Sequence, residues 1–126
     1  MHIQPSKPTV KGPAELFTGH VWIDPVVQSE TSGPSVSAVR FTPGARTAWH
    51  AHGRGQTLYV TDGEGRVQTR GEEIVTIRPG DVVATPAGEW HWHGAAPDRF
   101  MSHLSITEGG AEWGEHVTDA EYRGEL

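Results

Sequence analysis

Residues 44–63 read GARTAWHAHGRGQTLYVTDG and residues 80–95 read GDVVATPAGEWHWHGA, and the reading of these two stretches decides the fold. Each contains one His-x-His pair, His50/His52 in the first and His91/His93 in the second. In an extended strand residues i and i+2 point to the same side, so each pair sets two imidazoles on one face. Trp49, Ala51, Trp90 and Trp92 then turn to the opposite face. Turn residues bracket both stretches: Pro43-Gly44, Gly53-Arg54-Gly55 and Asp62-Gly63-Glu64-Gly65 around the first, Pro79-Gly80-Asp81 and Pro86-Ala87-Gly88 around the second. Short runs between such punctuation predict strands.

The same rhythm extends outward in both directions. Strand-like runs occupy 16–23, 35–42, 46–51, 56–61, 66–69, 73–78, 82–85, 90–93 and 100–107. Many short strands at this spacing indicate an all-β sandwich or barrel. Helix is expected once, over 119–123, where Thr118 followed three residues later by Glu121 forms a capping-box pattern. Residues 1–13, with Pro5, Pro8 and Pro13, read as an extended N-terminal arm that can reach a partner subunit. Residues 14–126 read as a single domain, the natural division for a chain of 126 residues.

Composition removes several function classes. Ten basic against sixteen acidic residues give a net charge of −6, which supplies no dense cationic surface for a phosphate backbone, so no nucleic-acid partner is expected. No apolar run approaches the roughly 18 residues that span a bilayer, and the opening MHIQPSKPTVKG lacks the apolar core of a secretion signal. The expectation is a cytoplasmic protein without a membrane partner. The absence of cysteine excludes disulfides, thiolate metal sites and thiol nucleophiles. Any chemistry therefore uses nitrogen and oxygen. Imidazole suits Mn, Fe, Co, Ni, Cu and Zn, and two imidazoles held on one strand approach the fixed angle that such ions require. A single His-x-His in a β protein is ordinarily a hydrogen-bonded or surface pair, and that reading stands beside the metal reading at this point.

The two stretches together resemble the cupin superfamily. Its first motif, G-x5-H-x-H-x(3,4)-E-x6-G, corresponds to Gly44, His50, His52, Gln56 and Gly63, with Gln in place of the usual Glu. Its second, G-x5-P-x-G-x2-H-x3-N, corresponds to Gly80, Pro86, Gly88 and His91, with Ala95 in place of Asn. The resemblance implies an all-β jelly-roll barrel, a double-stranded β-helix, with the extended N-terminal arm at one end and the short C-terminal helix at the other. It also implies a divalent metal held by His50, His52, Gln56 and His91. Three neutral imidazoles and an amide would leave the ion's charge unoffset, favouring an anionic ligand.

A narrower resemblance runs from about Lys11 to Tyr122, carried by KGPAELFTG, FTPGARTAWHAHGRGQTL, RPGDVVATPAGEWHWHGAAP and EWGEHVTDAEY. These are similar to single-domain bacterial cupins described as manganese-dependent hydroxynitrile lyases and to cupins associated with carboxymuconolactone decarboxylase-type domains. The implied activity is lyase cleavage of a cyanohydrin to an aldehyde or ketone and cyanide, with Mn(II) as the first choice of ion and Fe, Ni, Zn or Co also suited. His103, helped by His93, is the expected proton acceptor, against the plainer reading that the two brace the ligands or bond backbone carbonyls. Ser37, Val39 and Phe41 on one strand face, with Thr107, are expected to line the substrate pocket. The competing readings are another cupin enzyme, a dioxygenase or isomerase, or a non-enzymatic carrier of a small anion; a storage-type cupin does not suit a chain that retains its ligands. Trp49, Trp90 and Trp92 on an outer face predict burial against a second copy, giving a homodimer or higher homo-oligomer.

Overall fold

The computed structural model describes residues 1–28 and 33–125. Thirteen strands are found among these residues: β1 Val10–Lys11, β2 Phe17–Thr18, β3 Val21–Val27, β4 Ser35–Phe41, β5 Arg46–Thr47, β6 His50–His52, β7 Gln56–Gly63, β8 Gly65–Thr69, β9 Val75–Ile77, β10 Val82–Thr85, β11 His91–Ala95, β12 Met101–Thr107 and β13 Ala111–Trp113. They form one sheet in the order β1-β3-β4-β12-β7-β10 and a second in the order β13-β6-β11-β5-β2, with β8 pairing β11 and β9. The strand pairs are antiparallel. The sheets curl over a shared core of Val21, Val39, Phe41, Ala45, Val60, Ile77, Ala95 and Met101. This is the expected all-β architecture.

Several boundaries differ from the sequence reading, for reasons that lie outside local pattern. The run 46–51 is two strands, because Ala48 N–H donates to Leu16 O at 2.8 Å and Trp49 N–H to Glu115 O at 3.0 Å, drawing the chain out of one ladder and into the next. The run 16–23 is likewise broken between β2 and β3. The arm is partly structured: Val10 and Lys11 pair with Ile23 and Trp22 of their own chain, and Lys7 Nζ donates to Gln28 Oε1 at 3.2 Å. Strand β13 has a partner only through the tertiary fold, since it pairs Ala111, Glu112 and Trp113 with His52, Ala51 and His50.

The helix α1, Asp119–Arg123, follows the predicted capping box: Thr118 Oγ1 accepts from Glu121 N–H at 3.1 Å and Thr118 N–H donates to Glu121 Oε1 at 2.9 Å. Its placement corrects the expectation about the tryptophans. Trp49 and Trp92 are 4% and 0% exposed, packed with Val117 and Tyr122 of the same chain. The C-terminal segment covers the face that was assigned to a second subunit. Arg46 anchors that cover by donating from Nη2 to Val117 O at 2.7 Å and to Asp119 Oδ1 at 2.8 Å.

Candidate metal centre

Three strands deliver the inward side chains. β6 carries His50 and His52, and the turn after it passes through Gly55, whose φ of 84° suits glycine and whose added Cβ would lie 2.7 Å from Thr85 O. That reversal starts β7 with Gln56 buried. The loop before β11 is tied to the first pair by Gly88 N–H donating to His52 O at 2.9 Å. His91 and His93 then enter from β11, where Gly94 lets β5 approach so closely that an added Cβ would meet Ala45 O at 2.5 Å.

The imidazoles converge. One ligating nitrogen each from His50, His91 and His93 lies within 4.8 Å of the others, all three residues being buried, so this set can hold a metal ion. The His52 ring centroid is 4.9 Å from that of His50 and 5.5 Å from that of His91. Gln56 Oε1 stands 2.9 Å from His91 Nε2, while Gln56 Nε2 donates to Ser105 Oγ at 2.8 Å.

The donor set tests whether a cation fits. His50 Nδ1 and His91 Nδ1 each lie 2.9 Å from a backbone carbonyl, of Ala48 and Glu89, so both Nδ1 atoms must donate. In a neutral ring each Nε2 is then a bare lone pair. His91 Nε2 therefore presents an acceptor to the Gln56 carboxamide, 2.9 Å from Oε1. His52 Nε2 and His93 Nε2 are buried without a partner. Burial keeps the rings neutral: it pushes His50 down to about 3, with nearby His91 adding to the effect, and His52 down to about 4. His91 is lowered chiefly by burial as well. Converging lone pairs without protons are an unfavourable arrangement that a divalent ion would satisfy.

Behind the cluster sits a second imidazole layer. His103 on β12 places Nε2 3.0 Å from His93 Nδ1, and His103 Nδ1 is buried without a partner. Burial holds His103 at about 4 and His93 well below its ordinary value, the latter helped by His103 and then His50.

A cavity of about 340 Å³ opens beside Gln56, with Arg54, Thr85, Ile106, Thr107 and Glu108 in its lining. A smaller hollow of about 230 Å³ lies against His52, Trp90 and Glu112.

The cupin domain pattern matches residues 37–107. This chain belongs to the cupin family. An (R)-mandelonitrile lyase from Granulicella tundricola is 51% identical to this cupin over 123 residues, covering 94% of each chain. The crystal structure of a cupin-like protein from Thermotoga maritima is 45% identical, superposes with a TM-score of 0.88 and shares 90% of each chain. A cupin-2 domain protein from Rhodospirillum rubrum, 16% identical over 98% of this chain and 84% of its own, shares the fold with a TM-score of 0.73.

The other candidate residues lie around the imidazoles in different layers of this cupin. Thr107 lines the cavity beside Gln56 and pairs in register with Gln56. Ser37 and Val39 lie opposite Ser105 and His103 on the β4–β12 ladder. Phe41 is a core residue whose ring centroid is 5.3 Å from that of His103 and 6.0 Å from that of His93. One neighbour was not foreseen. Trp113 stacks on the His50 ring at 4.5 Å between centroids, with an interplanar angle of 22°. Trp113 carries no sequence signal, because its strand becomes one only by pairing with β6. Ser105, which alternates with His103 and Thr107 on one strand face, orients the Gln56 amide.

Proposed function

We propose that this cupin is a metal-dependent hydroxynitrile lyase that cleaves a cyanohydrin to an aldehyde or ketone and hydrogen cyanide, and runs the addition in reverse. The observation that carries the reading is the convergence of buried neutral imidazoles, with His50, His91 and His93 nitrogens within 4.8 Å of one another and His52 Nε2 and His93 Nε2 without a partner. The 51% identity to an (R)-mandelonitrile lyase supplies the reaction class. His50, His52, Gln56 and His91 would hold the ion, with Mn(II) the expected choice. When bound, a divalent ion supplies Lewis acidity and positive charge at the substrate oxygen.

The remaining steps belong to the chain. Ser37 and Val39, opposite Ser105 and His103 on the β4–β12 ladder, and Thr107, opposite Gln56, would line the pocket for the organic group of the substrate, with Phe41 behind the imidazoles. His93, kept neutral by burial, accepts the hydroxyl proton at Nε2. His103 orients it through the 3.0 Å contact to Nδ1 and shares the added charge. The carbon–cyanide bond breaks with its electron pair on cyanide, the carbonyl forms, and His93 returns the proton to cyanide. Ser105 holds the Gln56 carboxamide so that its oxygen faces the centre.

The test is elemental analysis of protein purified without added metal, followed by benzaldehyde release from (R)-mandelonitrile. Bound divalent metal with turnover is expected. A metal-stripped protein that keeps full turnover would overturn the mechanism.

A second copy would pack on the outer face of the six-stranded sheet, where Tyr59 and Val82 are register partners, 44% and 63% exposed, and Trp22 and Ile106 share the face. The homodimer expectation thus moves from the tryptophan-bearing face to this one. A cytoplasmic setting suits a chain without cysteine, and no helix among the described residues is long and apolar enough to cross a membrane.

A further inference from the structure

The strands that carry His50 and His91 are joined by little backbone. β6 and β11 share one register pair, His91↔His50 itself. Yet these two imidazoles have the closest ring centroids in the cluster, 4.3 Å apart. Beyond the Gly88 N–H to His52 O bond, that separation calls for a further tie.

The outer face supplies it. Arg70 follows β8 directly, and its N–H donates to Trp90 O at 2.9 Å, extending the β8–β11 ladder by one bond. Its guanidinium lies 4.7 Å from the Trp49 ring centroid and 5.3 Å from that of Trp90. Arg70 Nη2 also donates to Glu115 Oε1 at 2.6 Å. Glu115 closes the loop, because its carbonyl accepts from Trp49 N–H at 3.0 Å. Gly114 leaves room for the Trp90 ring, since a Cβ there would lie 3.0 Å from Trp90 Cζ3. The contacts therefore run from Arg70 to Trp49 and Trp90, and from Glu115 back to both Arg70 and Trp49. Trp49 immediately precedes His50, and Trp90 immediately precedes His91. Pulling the two rings against one cation fixes the backbone from which the two imidazoles project on the opposite side.

We infer that Arg70 is a positioning residue for the metal centre: its guanidinium, clamped between Trp49 and Trp90 and held by Glu115, sets the spacing of His50 and His91. A cation over two aromatic faces is attracted to both, and a planar guanidinium stacks on each where an ammonium acts as a point charge. The clamp acts only through backbone, so it adds no group to the substrate pocket. The inference rests on the reading of these histidines as metal ligands.

Titration calorimetry with Mn(II) alone, with the EPR spectrum of the bound ion as a second readout, tests it. Partners that orient ligands are ordinarily worth about 10–100-fold in metal affinity. Arg70→Ala is expected to weaken Mn(II) binding by about tenfold, the lower end of that range, and to change the EPR line shape of the ion. Arg70→Lys, which keeps a cation over the rings, should recover part of the affinity. A purely structural role would lower the thermal midpoint of the metal-free protein and leave the affinity of the folded fraction unmoved. Folded Arg70→Ala protein with wild-type affinity and spectrum therefore overturns the inference while leaving the metal reading intact. A wild-type protein that takes up no Mn(II) overturns both. Should Arg70→Ala not fold, Glu115→Gln decides in its place: a loss of about threefold, the worth of one exposed ion pair, supports the clamp, and unchanged affinity overturns it.

Discussion

Along β6 and β11, and in the residues just before them, neighbouring side chains meet opposite fates. Those facing inward, His50, His52, His91 and His93, are buried imidazoles whose nitrogens converge, and His52 Nε2 and His93 Nε2 have no partner. Those facing outward, Trp49, Trp90 and Trp92, sit under the chain's own C-terminal segment in a conventional apolar cluster. There Trp92 Nε1 donates to Gln68 Oε1 at 2.8 Å, and the Tyr122 hydroxyl donates to Ala95 O at 2.5 Å. Trp49 Nε1 is the exception, buried without a partner. The difference teaches a division of labour within one pair of strands. The outer face supplies the packing that holds the backbone, and the inner face keeps lone pairs uncommitted at a cost in stability that a cation would offset.

Removing ligands gives the largest expected effect. His50→Ala or His91→Ala should abolish metal content and turnover together, as read by elemental analysis and the mandelonitrile assay, while the outer cluster stays folded. His52→Ala should behave the same way. Next comes His93→Ala, expected to retain metal and lose roughly 10²–10⁴-fold in turnover, the range for a displaced general base. Metal loss in His93→Ala with metal retained in His52→Ala would reverse the two assignments, in line with the tight grouping of His50, His91 and His93.

The outer face is broken by Trp92→Ala, which should cost about 3–5 kcal/mol of folding stability by denaturant titration. Should turnover at a temperature where the variant stays folded fall as far as in His93→Ala, the two faces would not be separable. The pH dependence sharpens the cost of the inner face. His50 and His52 are depressed from 6.5 to about 3 and about 4 by burial. Below pH 6.5 the unfolded chain binds protons that the folded, metal-free chain does not, so stability falls as pH drops from about 6.5 toward 4 and is level with respect to these groups above that window. Thermal midpoints of metal-free protein measured between pH 8 and pH 5 should show that decline, and a flat profile would contradict the buried neutral imidazoles. Tyr122→Phe, which removes one buried hydrogen bond on the outer face, should have the smallest effect, about 1 kcal/mol with metal content unchanged.

Much of the centre was legible because its determinants are short-range. The i, i+2 alternation puts His50 with His52 and His91 with His93, and Gly55 and Gly88 mark the turns that deliver Gln56 and His91. The alternation also shows that the tryptophans face away from the imidazoles, though not what covers them. The C-terminal cover depends on contacts from Arg46 to Val117 and Asp119, more than seventy positions along the chain. No local pattern encodes such a contact.

The chain's own pattern thus determined the β architecture, the capping box at Thr118 and Glu121, and the imidazole faces, since each follows from backbone geometry over a few residues. Only the tertiary structure decided that His103 stands behind His93, that Trp113 stacks on His50, and that Arg70 joins Trp49 to Trp90. Those relations arise when sequence-distant strands pair. Their energies come from burial and mutual orientation, which exist only once the two sheets have closed on each other.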